Sequence, residues 1–316
     1  MNRFAKYSWG VLFYNLLVIL WGAYVRATGS GAGCGEHWPT CNGQVIPLSG
    51  RVETMVEYTH RLMSGLTLIL VVGLAIWAFR AYPRKSPVRR GASLSLLFSC
   101  TEALVGAGLV LYQLVAKNDS IARAASVAIH LVNTLLLLGA LTLTAWWSSG
   151  GGEIHWQNAR PLNILLGVGF VGLILLSACG AVTALGDTLF PASSFAQGLQ
   201  QDTSPTAHFL IRLRVIHPMI AVTLALYIAI VAWVVRIQRP NRLINLLSTT
   251  QIGLFVLQLG LGGLNVILLA PIWMQMVHLL TADLVWICFV LLTSATFSGD
   301  GTKELVLGKP QYQAAD

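Results

Sequence analysis

VAIHLVNTLLLL (residues 127–138) and QMVHLLTADLVW (275–286) are two versions of one segment, a histidine near the start of a long apolar run. The likeness extends outward in both directions. EALVGAGLV (102–110) resembles QLGLGGLNV (258–266), a histidine opens a run again at His60 and at His217, and a long polar segment follows the first run of each set. Glycine-rich SSGGGE (148–153) lies at the junction, as a flexible linker does. The chain is therefore an internal duplication of four apolar runs. An even number of crossings per unit keeps the second copy in the same orientation, so the repeat is parallel and not inverted.

Eight runs are marked, over 8–25, 55–79, 92–115, 124–147, 162–185, 208–235, 246–270 and 272–297. Each approaches or exceeds the roughly 20 apolar residues that cross a bilayer as a helix. Of 316 residues 55% are hydrophobic and 10% charged, with mean hydropathy +0.70. Soluble domains carry about 25% charged residues, so this composition excludes an ordinary soluble domain and a disordered chain. The fold expected is an all-α integral membrane protein, with eight transmembrane helices as two tandem pseudo-symmetric four-helix bundles over 1–150 and 151–316. The first run follows Asn2, Arg3 and Lys6 in the manner of a signal peptide, but it is too long and lacks a small-residue cleavage site. It reads as a retained helix.

The net charge of +8 does not point to nucleic acid, because Lys and Arg in a membrane protein gather in cytoplasmic loops. Eight crossings put both termini on one side, and that side holds 13 basic residues against 7 on the other, Arg80, Arg84, Lys85, Arg89 and Arg90 among the 13. Both termini are expected in the cytoplasm. His60, His130, His217 and His278 then lie about five to ten residues in from the outer end of even-numbered runs, about 8–15 Å below the rim.

Each half thus offers two imidazoles at matched depth on two helices of one bundle. That pair suits a six-coordinate heme iron, whereas zinc or copper asks for further Cys, His or carboxylate ligands. Glu57 is three residues before His60 and shares its helix face, placing a carboxylate beside the heme edge to move protons or stabilise positive charge. Arg214 occupies that position in the second half, so the halves are chemically unequal. Such a difference suits one heme being worked on and another carrying electrons. Arg61, Arg212 and Arg214 are candidates to pair with heme propionates or to sit at the membrane rim.

Cys34 and Cys41 flank CGEHWPTC in the first outer segment, where an oxidising compartment favours a disulfide of structural or redox role. Cys100, Cys179 and Cys288 fall inside runs and read as packing residues, and His37, His155 and His208 as solvated ones. Glu102 and Asp283 are intramembrane carboxylates, a proton path or interhelical contacts. Pro218, directly after His217, is expected to kink its helix and shape the pocket.

EYTHRLMSG (57–65), TGSGAGCGEHWPTCNG (28–43) and the four repeated histidines together resemble the heme A synthase family, along all eight runs. The resemblance implies oxidation of the C8 methyl group of heme O to a formyl group, through hydroxylated intermediates, giving heme A for terminal oxidases. It implies that His60 and His130, with Arg61, hold the substrate heme O in the first half, and that His217 and His278 ligate a heme B cofactor in the second. Glu57 matches the acidic residue the family needs, and Cys34 and Cys41 its first outer-loop cysteine pair. The segment 186–207 has no cysteine, so any mechanism needing a second pair is in doubt.

The resemblance further implies a multi-pass protein of the bacterial plasma membrane with its heme sites toward the outer face. A transient contact with the farnesyltransferase that makes heme O is expected. Gly260, Gly262 and Gly263 allow close helix contact, within one chain or in a homo-oligomer. The alternative function is a diheme b-type electron-transfer cytochrome without substrate chemistry, which leaves Glu57 unexplained. A heme exporter is the third reading, and the outer clustering of all four histidines counts against it. A non-catalytic assembly subunit is the fourth.

Overall fold

The structure, a computed structural model, describes residues 1–48, 50–155 and 160–298, with Arg160 described by its backbone alone. Lys303, Lys309 and the C-terminus lie outside these residues. Nine α-helices are present among the described residues: α1 (Arg3–Ala27), α2 (Val52–Ala81), α3 (Pro87–Leu111), α4 (Ile121–Ser148), α5 (Arg160–Leu189), α6 (Phe195–Thr203), α7 (Phe209–Gln238), α8 (Arg242–Ile267) and α9 (Ile272–Phe297). All except α6 are long and apolar enough to cross a membrane. The protein is an all-α, multi-pass membrane protein.

Helix starts follow from capping residues. Asn2, Ser86, Ser120 and Asn241 each accept a hydrogen bond from a first-turn N–H of α1, α3, α4 and α8, and Pro87 fills the first helical position of α3, where an N–H is not missed. Two helix ends depart from the sequence reading, which carries the third and seventh runs to 115 and 270. Here α3 stops at Leu111 and α8 at Ile267. In both, the chain turns through a left-handed residue (Gln113 at φ 54°, Leu269 at φ 62°) and closes back five residues, Leu114 N–H to the Leu109 carbonyl and Ala270 N–H to the Asn265 carbonyl. This is a Schellman stop made without glycine, on residues apolar enough to pass for continuing helix. That both halves stop in this way extends the duplication to backbone geometry.

The short α6 lies where the sequence reading has only a loop. Nine residues with a Gly and three Gln carry little apolar signal; Ser194 starts the helix by accepting from Gln197 N–H at 3.2 Å.

Helix neighbours run α1–α2–α3–α4 and back to α1, which places α2 and α4 diagonally across the first bundle. In the second half α5 packs on α7, α7 on α8 and α8 on α9, so α7 and α9 are again diagonal. The halves meet through α1 and α4 on one side and α5 and α9 on the other. The Trp286 indole N–H donates to the Leu135 carbonyl at 2.7 Å across this seam, and the Phe170 ring packs edge-on against Trp286 and Phe289. One apolar core joins both halves. By contrast α2 and α7 expose Leu62, Leu66 and Ile69, and Val222, Leu226 and Ile230, rows of large apolar side chains that only lipid suits.

At the histidine end Arg26 of α1 reaches over the seam. Its guanidinium donates to the Ala184 carbonyl (2.7 Å), the Thr188 hydroxyl (2.8 Å) and the Gln275 side-chain carbonyl (2.9 Å). In the sequence Arg26 counts only as one more rim charge. Arg26→Met is expected to lower the melting temperature in detergent while helix content persists, because hydrogen bonds to a charged group contribute about 1.5–3 kcal/mol each. Circular dichroism on heating checks it, and an unchanged transition contradicts the tie.

Candidate functional site

His60, His130, His217 and His278 lie eight, nine, eight and six residues beyond the first residue of α2, α4, α7 and α9. At 1.5 Å per residue these are matched depths of about 9–14 Å. The diagonal arrangement of those helices sets His60 across from His130 and His217 across from His278. All four rings are half-buried, and in all four the Nδ1 is sealed from solvent without a hydrogen-bond partner. A buried ring nitrogen left so is costly unless a ligand uses the ring. Among the described residues no group of three or more His, Cys, Asp or Glu is placed around one point to hold an ion. Two imidazoles facing one another across a bundle, with orphaned nitrogens, fit the iron of a heme.

Each ring rests against a glycine on the preceding spanning helix, a feature the sequence reading does not pick out. A Cβ on Gly22 of α1 would sit 2.8 Å from His60 Cε1, and a Cβ on Gly180 of α5 would sit 2.9 Å from His217 Cε1. Gly262 of α8 faces His278 Cε1 at 3.3 Å, and Gly106 of α3 faces His130 Cε1 at 3.8 Å. The signal is present in the sequence as a glycine in the apolar run before each histidine run, but glycine is common in spanning helices and carries no label.

Beside the start of α2 the loop between α1 and α2 is closed by a Cys34–Cys41 disulfide, both cysteines fully buried. Glu57 fastens this loop to α2. One carboxylate oxygen accepts from Cys34 N–H at 2.9 Å; the other accepts from Arg61 Nε at 3.1 Å and forms an ion pair with its Nη2. Arg61 also donates to the carbonyls of His37 and Thr40 inside the loop, both at 2.6 Å. Thr54 and Asn42 donate to the Gly33 carbonyl. A Cβ on Gly33 would fall 2.3 Å from the Glu53 carbonyl oxygen, so only glycine lets the loop lie this close. Gly33→Ala is expected to lift the loop off α2 and speed reduction of the disulfide by a mild thiol; an unchanged reduction rate contradicts it. Arg61 is thus engaged by the loop and by Glu57.

Arg214, the positional counterpart of Glu57, pairs with Asp187 at 2.9 Å and lies 3.8 Å from Asp202, and donates to the carbonyls of Gly186 and Phe190. It ties α7 to α5 and α6. Burial raises the Asp202 carboxyl above its ordinary range, with Arg214 opposing the rise. Arg212 bonds the Pro205 carbonyl, and His208 caps α7. Pro218 lies within α7, which continues past it. Cys288 is buried as a packing residue, whereas Cys100 is exposed on the lipid-facing side of α3. His37 is exposed in the cysteine loop, and His155 bonds the Phe297 carbonyl through its backbone N–H. Asp283 is 1% exposed with Oδ2 unpartnered.

Fold and site together define an eight-span membrane protein built twice over, with a diagonal imidazole pair in each copy and, in the first, a disulfide-closed loop clamped by Glu57 and Arg61. The chain belongs to the cytochrome oxidase assembly protein family, COX15-CtaA, which it matches over residues 5–290. Among its relatives, the heme A synthase of Exiguobacterium sp. (strain AT1b) is 30% identical over 263 residues, 83% of each chain. That of Exiguobacterium sibiricum is 31% identical over 228 residues, 72% of this chain and 73% of the relative. A Thermus thermophilus protein named protoheme IX farnesyltransferase is 49% identical over 308 residues, 98% of this chain but 50% of the relative. The chain therefore spans about half the length of that relative.

Proposed function

We propose that the protein is a heme A synthase that oxidises the C8 methyl group of heme O to a formyl group. The observation that carries this reading is the inequality of two otherwise matched halves. Both present a diagonal imidazole pair, but only the first places a buried carboxylate, Glu57, one turn from a pair member under a disulfide-closed loop. The family match and the heme A synthase relatives support it.

In this reading residues 1–150 form the substrate half, where His60 and His130 hold heme O, and residues 151–316 form the cofactor half, where His217 and His278 hold heme B. When bound, heme B supplies one-electron redox chemistry beside the substrate. The chain's own part is positional and electrostatic. The imidazole pair fixes the substrate macrocycle, the disulfide loop covers it, and Glu57 holds negative charge near the edge being oxidised. With Arg61 committed to Glu57 and the loop, its contribution to heme O is to hold that carboxylate, ahead of any propionate contact. A pure electron carrier has no use for a disulfide-closed loop fastened by a carboxylate over one imidazole pair and not the other.

The bilayer orientation follows from Arg80, Arg84, Lys85, Arg89 and Arg90, which lie at the end of the bundles opposite the histidines, in α2, its turn and the first turn of α3. That end faces the cytoplasm in a bacterial plasma membrane, both termini lie there, and the heme sites open outward. Contact with a heme O-making farnesyltransferase fits the Thermus relative, whose name carries that chemistry and whose length is twice the matched stretch.

The test is mass analysis of hemes extracted from cells that make heme O, with and without this protein. Heme A, or its hydroxymethyl precursor, appearing only with the protein supports the reading. Heme O unchanged while the protein retains heme B overturns it in favour of the electron carrier.

A further inference from the structure

The turn between α2 and α3 carries a basic cavity that the imidazole pairs do not use. It lies at the end of the bundles opposite the histidines, has a volume of about 600 Å³ and is lined by Phe79, Arg84, Arg89, Arg90, Ser93 and Leu94. Three guanidinium groups thus share one space with two apolar side chains. Arg90 pairs with Glu153. Among the described residues no carboxylate lies within ion-pair distance of Arg84 or Arg89. The cavity is left with two positive charges that nothing in the chain offsets.

Arginine at a membrane rim is common, and one satisfied by water extends its guanidinium into solvent. Arg89 does not. Its guanidinium lies over the Phe79 ring, 4.3 Å from the centroid, and reaches the Tyr82 carbonyl only at 3.5 Å. Its Nε is sealed from solvent without a hydrogen-bond partner. A donor so placed is costly until an acceptor meets it, and a guanidinium stacked by its face keeps its edge for a bidentate anion such as phosphate. Beyond the cavity the surface turns apolar. Ile76, Val72 and Ile69 continue the exposed row of Phe79 along α2, and Leu97 and Leu104 that of Leu94 along α3, at helical spacing.

We propose that this cavity binds one anionic phospholipid, its phosphodiester held by Arg84 and Arg89 and its acyl chains lying along α2 and α3. The two unpaired charges select a headgroup of net negative charge, because the cation of a zwitterionic headgroup is repelled by the same arginines. The apolar rows select a lipid over free phosphate. The site uses none of the heme assignments, so it stands or falls separately from the proposed function.

The experiment is native mass spectrometry of the purified full chain in detergent, titrated with phosphatidylglycerol or with phosphatidylcholine of the same acyl chains. Wild type is expected to hold one phosphatidylglycerol on the order of 30-fold more tightly than Arg84→Gln/Arg89→Gln, the scale on which two basic residues attract an anionic lipid. It holds phosphatidylcholine no better than that variant does. Arg236→Gln/Arg239→Gln removes two charges from the same end of the second half and is expected to keep the lipid. Equal weakening by both double variants reduces the effect to rim charge and overturns the site, as does equal retention of the two lipids by wild type. Inorganic phosphate displacing phosphatidylglycerol and binding in its place overturns the lipid in favour of a phosphate site. Should Arg84→Gln/Arg89→Gln not fold, Ser93→Glu decides, since it sets a carboxylate among the arginines from an exposed position. Undiminished binding of phosphatidylglycerol by that variant is the contrary result.

Discussion

Glu57→Ala is expected to abolish heme A formation, by at least about 100-fold, the scale on which a positioned acid–base group acts. The loss has two physical sources that separate experimentally. Glu57 is 3% exposed, and its carboxylate anchors the loop through the Cys34 N–H. Its removal leaves Arg61, 12% exposed at the side chain, without its counter-charge, and breaking such a buried pair costs about 3–5 kcal/mol. The loop is then expected to loosen from α2 as well. Glu57→Gln keeps hydrogen-bonding capacity toward Cys34 but not the charge. If the charge near the substrate matters, Gln is as inactive as Ala while protecting the loop better from proteolysis. If loop docking is all that matters, Gln recovers most of the activity. Heme analysis with limited proteolysis of both variants reads the two effects apart, and an active Ala variant contradicts both.

The second large effect falls on two glycines packed against the histidines. Gly22→Ala and Gly180→Ala each put a methyl group inside 3.0 Å of an imidazole carbon, so His60 or His217 must shift. Displacing a group by about 1 Å from its working geometry costs on the order of 100-fold. Gly22→Ala is expected to lose activity at that scale with heme B retained, and Gly180→Ala to lose heme B. Gly106→Ala serves as the control, since its Cβ would sit at an ordinary 3.8 Å from His130 and activity should hold within a few-fold. Pyridine hemochrome spectra of the three purified variants check the pattern. Equal effects at Gly22 and Gly106 contradict it.

What the sequence showed followed from periodicities with a physical cause. Apolar length gave the eight spans because a bilayer fixes it, and the repeated histidines and the parallel duplication needed only alignment of the chain with itself. The Cys34–Cys41 bridge was legible from compartment and spacing. What escaped depends on contacts between segments distant in sequence. Arg26 is one rim arginine among several until α5 and α9 arrive beside it. Arg61 reads in the sequence as a propionate partner or a rim residue, and its ties to the loop show only once the loop folds back over α2 and takes up its guanidinium. The stops of α3 and α8 hide because Leu114 and Leu269 are as apolar as the helices they follow. Glu102 was visible as a carboxylate in a span, but its aim at His130 is set by Thr134 and Asn133 on the facing helix.

The central claim is a division of labour between two imidazole pairs, and heme content after selective removal of each pair tests it most directly. Purified His60→Ala/His130→Ala and His217→Ala/His278→Ala variants, made in cells producing both heme B and heme O, are compared with wild type by extraction and mass analysis. The account predicts heme B without heme O or heme A in the first variant, and loss of heme B with heme O left unconverted in the second. Heme A formed by either variant, or both variants losing the same heme, contradicts it.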